Sequence, residues 1–142
     1  MKKKIHKLKG TGKNHYRLMG ISSHENDYRL SWAINSNLGF NFRKADNLVL
    51  YSNDKTESLE FSVFQFIDNE RALRMNLISN RCPDGFLIKE MRNIDFFLQV
   101  FGDATTSFIT SISQNLKSID LVLAVFEIPP KNQRYFSNLP PE

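Results

Sequence analysis

A single cysteine, Cys82, stands in this chain of 142 residues, so no disulfide can close within it, and a lone thiol is compatible with a reducing compartment. Long apolar runs are missing as well. The longest, Leu121 to Phe126, falls far short of the roughly twenty residues that a membrane-crossing helix requires. Near the start Ile5 and Leu8 are isolated among lysines and glycines, so the apolar stretch of a secretory signal is lacking. The expectation is a cytoplasmic protein with no membrane segment and no export.

The residues that build reactive sites are equally sparse. His6 and His15 lie in a lysine-rich stretch, His24 is alone, and Cys82 has only Asp84 nearby, so no metal-ligand spacing is visible and neither metal nor cofactor is expected. Cys82 would need a base to become a nucleophile, and only His24 is available to reach it across a fold; a small buried or loop thiol is the simpler reading. Gly10-Thr11-Gly12-Lys13 imitates the end of a phosphate loop, but Lys7 occupies the place of the first glycine and no strand precedes it. No catalytic residue is assigned, and the reading leans away from an enzyme.

What is present is an ordinary globular mixture, 41% hydrophobic and 12% aromatic, with twelve phenylalanines to build a core on rings. The net charge of +4 is unevenly placed: residues 1–15 hold six lysines and no acid, whereas the remainder has 13 bases against 15 acids. A basic tail of this kind contacts phosphates through counterion release, yet basic termini commonly only solubilise. One domain is expected over residues 16–130, with a flexible basic tail at 1–15 and a loosely held tail at 131–142.

Along the chain, Tyr16 to Ile21 suits a strand. Ser22 followed by Glu25 has capping-box spacing, and Leu30, Ala33, Ile34 and Leu38 recur at helical period before Gly39, which predicts a helix over 23–38. Period two then returns at Phe40 to Arg43, at Leu48 to Tyr51, and from Leu59, where the alternation switches phase between Val63 and Phe64 as a β-bulge would make it. Asp68 and Asn69 supply a hairpin turn into Leu73, Met75 and Leu77. Ile94 to Phe101 is apolar on both faces and reads as central. A second helix carries Phe108, Ile109, Ile112 and Leu116, capped by Asp103 or Thr105. Ile119 to Ile128 reads as a further strand apolar on both faces, ended by Pro129 and Pro130. The condensed order, β-α-β-β-β-β-α-β, predicts an α+β fold: an antiparallel-rich sheet with one polar face in water and two helices on the other, a ferredoxin-like layout with an inserted meander.

Two stretches carry a family resemblance: Asp27-Tyr28-Arg29-Leu30, and Ile88-Lys89-Glu90-Met91-Arg92-Asn93-Ile94-Asp95-Phe96-Phe97-Leu98. They resemble the IPExxxVDY family, small bacterial proteins of unknown function, and the order of elements from Tyr16 to Ile128 is similar too. Of the naming motif, Ile88, Glu90 and Asp95 match, while Lys89 replaces proline, Ile94 valine and Phe96 tyrosine. The resemblance implies no chemistry. It directs attention to a candidate polar site of Glu90, Asp95, Tyr28 and Arg29, in which Asp95 braces the strand start and Glu90 pairs with Arg92 or Arg29.

The rings of Phe61-Ser62-Val63-Phe64-Gln65-Phe66 are similar to an RNA-recognition strand, but the preceding basic residue and glycine are absent, and such rings are more often core. The sequence therefore supports a non-catalytic protein-binding or adaptor domain, by an edge strand or by self-association. A small-ligand regulatory domain and a weak nucleic-acid binder acting through the tail are the alternatives.

Overall fold

In the computed structural model, which describes residues 16–102, 104–129 and 136–141, the elements are β1 (Tyr16–Ser22), α1 (Asp27–Leu38), β2 (Arg43–Lys44), β3 (Leu48–Tyr51), β4 (Ser58–Phe61), β5 (Val63–Asp68), β6 (Leu73–Ser79), β7 (Arg81–Cys82), β8 (Gly85–Phe86), β9 (Phe96–Gly102), α2 (Thr106–Lys117) and β10 (Ala124–Ile128). The α+β class and the two-helix order are as expected. Six strands form one sheet in the order β10-β1-β9-β6-β5-β2, every pair antiparallel. Within it, β10-β1-β9-β6 is the order of two interleaved β-α-β units, the ferredoxin-like layout, and the inserted meander adds β5 and β2 outside β6. The basic segment 1–15 lies outside the described residues, as does Asp103.

The side-chain alternation decides which layer each strand faces. Met19 and Ile21 of β1, Met75 and Leu77 of β6, and Phe96, Leu98 and Val100 of β9 point to one face and pack with Leu30, Ala33 and Ile34 of α1 and Ile109, Ile112 and Leu116 of α2. Both helices therefore cover the same face. The other face is not open to water as expected. Leu18, Val63, Ile78 and Phe97 pack there beneath Phe61 of the β3–β4 hairpin, Leu87, Ile88 and Ile94 of the loop before β9, and Phe136 and Leu139. Three layers result, and residues 136–141 belong to the third. Phe136 and Leu139 are buried apolar anchors, which is why this part of the expected loose tail is held down.

Local chemistry explains the other departures. Helix α1 starts at Asp27, four residues later than the capping-box reading, because Asn26 accepts the N–H of Arg29 at 2.9 Å while the serines are drawn to distant partners. The Ser22 hydroxyl donates to the Asn93 carbonyl at 2.6 Å and that of Ser23 to the Leu121 carbonyl at 2.7 Å. Gly39 ends the helix at φ 71°, and Thr105 caps α2 by accepting the N–H of Phe108 at 3.0 Å. Ser113 of α2, although polar, is buried with Ile109, Ile112 and Leu116. The phase switch near Val63 is no bulge. The strand breaks at Ser62, where the chain leaves the β3–β4 hairpin and joins the large sheet, so Phe61 and Val63 lie in the outer layer while Phe64 turns to the helices.

The expected strand 119–128 shortens to β10. Ile119 and Val122 are buried in turns that continue from α2, closed by hydrogen bonds from Ile119 N–H to the Leu116 carbonyl and from Val122 N–H to the Ile119 carbonyl. An apolar run with two apolar faces reads as central. This one sits at the sheet edge, with Leu123 and Phe126 exposed at 59% and 42%.

Candidate functional site

Just past β6, Asn80 has no exposed surface, and its side chain organises the loop that precedes β9. Its amide NH2 donates to the carbonyls of Ile88 (3.4 Å), Met91 (3.0 Å) and Ile94 (2.9 Å), and its carbonyl oxygen accepts the N–H of Ile88 at 2.7 Å. A buried amide satisfied in this way fixes the segment more firmly than apolar contact alone. The 3-10 turn Lys89–Met91 is thereby turned outward.

Asp95 is buried where β1 and β9 meet. One carboxylate oxygen accepts the N–H of Ser23 at 2.8 Å, the other faces the Arg81 guanidinium at 2.6 Å, and the Asp95 N–H donates to the Ile21 carbonyl at 2.9 Å. Arg81 and Arg92 both lie over the Phe86 ring, at 5.8 and 5.7 Å. The carboxylate has a cation on one oxygen and a backbone N–H on the other, so it ties the start of β9 to the end of β1 and to β7. This arrangement braces three segments.

The other candidate residues do not join it. Glu90 is exposed on the 3-10 turn and has no ion pair among the described residues; Arg29 pairs with Glu25 at 3.1 Å on its own helix. Tyr28 is exposed and sets its ring edge-on to Phe64, with 5.2 Å between centroids. Trp32, one turn further on, is 69% exposed, and sequence reasoning passed over it. The signal was available: Tyr28, Arg29 and Trp32 all fall off the stripe of Leu30, Ala33 and Ile34. His24 is exposed and Cys82 half-buried, and no cluster of three or more His, Cys, Asp or Glu occurs among the described residues.

A second polar feature crosses the face away from the helices. Gln65, Asn76 and Gln99 stand opposite one another in the sheet register. Gln65 donates to Asn76 at 3.0 Å, Asn76 donates to Gln99 at 3.0 Å, and Gln99 donates to the Pro140 carbonyl at 2.8 Å. In the next row the Arg74 guanidinium lies 4.4 Å over the Phe101 ring and donates to the Pro141 carbonyl at 3.3 Å. Tyr16 closes the row, edge-on to Phe101 at 5.5 Å; burial pushes its phenol up to about 12, against an opposing pull from the Gln99 amide. The sequence hint was the placing of Asn76 between Met75 and Leu77 and of Gln99 between Leu98 and Val100.

The two edges of the large sheet differ. Strand β2 has two residues, both basic, whereas β10 has five and no partner on its outer side among the described residues. A shallow cleft of about 360 Å³ lies between Arg71, Leu73, Ala104, Thr105 and Phe108. No family model matches the chain, and no curated protein matches it. No described helix is long and apolar enough to cross a membrane.

Proposed function

We propose that this protein is a non-catalytic binding or adaptor domain that receives an extended strand of a partner protein along β10. The observation that carries this reading is the contrast between the edges. Edges are normally guarded by shortness and charge, as β2 is with Arg43 and Lys44, yet β10 leaves Phe126 exposed, with Leu123 exposed just before it. An added strand gains main-chain hydrogen bonds along such an edge and side-chain contacts on alternate positions. The exposed pair Tyr28 and Trp32 on α1 adds a second patch of the residue types that anchor protein contacts.

The resemblance carried by Ile88, Glu90 and Asp95 belongs to the same proposal, with Asp95 acting as a brace rather than a reactive group, and the cytoplasm as the compartment that suits the lone Cys82. The test is affinity capture of the tagged full chain at native abundance, comparing wild type with Leu123→Lys/Phe126→Lys. Both side chains are exposed, so the variant should fold as the wild type does. A stoichiometric protein recovered with the wild type and lost with the variant supports the edge; equal recovery from both refutes it. A small-ligand reading rests on the Arg71–Phe108 cleft, and stabilisation by a metabolite on heating that Phe108→Ala removes would favour it.

A further inference from the structure

We draw no further inference here: the strongest candidate, the exposed surface patch of Tyr28 and Trp32 on α1 beside Phe64, already belongs to the binding reading above, and nothing in the structure shows what covers it.

Discussion

Replacing Asn80 by aspartate changes two hydrogens and one atom, and the structure makes it a severe perturbation. The Asn80 NH2 faces the carbonyls of Ile88, Met91 and Ile94, and no solvent reaches the residue. An ionised aspartate there removes both donors and directs negative charge at three carbonyl oxygens. Losing the hydrogen bonds and burying an uncompensated charge together cost about 3–5 kcal/mol. With a urea m-value of about 2 kcal/mol/M, the unfolding midpoint should fall by about 1.5–2.5 M. The sign of the pH dependence is the sharper check. Burial and the carbonyls raise the folded pKa of this carboxyl above its unfolded value, so the protonated form, which restores one donor, is the better-tolerated one. The deficit relative to wild type is therefore smallest below the unfolded aspartate pKa and grows as pH rises through the folded one. Urea unfolding by far-UV circular dichroism at pH 4 and pH 7 measures both. A loss below about 1 kcal/mol at pH 7, or a deficit independent of pH, would refute the assignment of Asn80 as the organiser of this loop.

Three further outcomes follow from particular contacts. Gly20→Ala sets a Cβ 2.5 Å from Ile94 Cδ1, the free end of a side chain, so it should cost about 1–3 kcal/mol and be partly rescued by Ile94→Val in a double-mutant cycle; additive effects would contradict the contact. Gly102→Ala should lower the melting temperature more than Gly39→Ala, since both have positive φ but only the Gly102 Cβ meets backbone, the Ala72 carbonyl oxygen; the reverse ranking would show that this approach is not tight. The Tyr16 phenol, raised to about 12, keeps its proton when the unfolded chain's tyrosines lose theirs near pH 10. Its contribution to stability is complete below pH 10 and is lost as pH rises towards 12, so absorbance titration should show one late tyrosine that Tyr16→Phe abolishes.

The elements that sequence made legible are those whose partners are near in the chain or whose pattern is unambiguous. Leu30, Ala33 and Ile34 announce α1, Gly39 ends it, and the alternation of Leu73, Met75 and Leu77 fixes β6. Several failures share one cause, a partner remote in sequence. Ser22 and Ser23 look like helix caps until Asn93 and Leu121 claim their hydroxyls, and Phe136 and Leu139 look idle until the outer core receives them. Asp95 reads as a brace of the strand start, but its partners, Ser23 just past β1 and Arg81 of β7, cannot be read from local pattern. The apolar run that ends in β10 misled in the most useful way: Val125 does enter the core, but Phe126 of the strand and Leu123 just before it, read as core, are the exposed side chains on which the proposed function rests.

Strand β1 lies between β9 and β10, so Tyr16 pairs with Phe101 and Leu18 with Ile128. During synthesis the first strand of the sheet emerges long before either neighbour exists, while the β3–β4 and β5–β6 hairpins can already close on themselves. Leu18, Met19 and Ile21 must therefore wait, unsheltered on both sides, until most of the domain has left the ribosome. For this topology the delay, rather than the final stability, sets how much chaperone protection a growing chain needs. It also makes the first strand the place where a slowed ribosome or a substitution that delays β9 would do most harm.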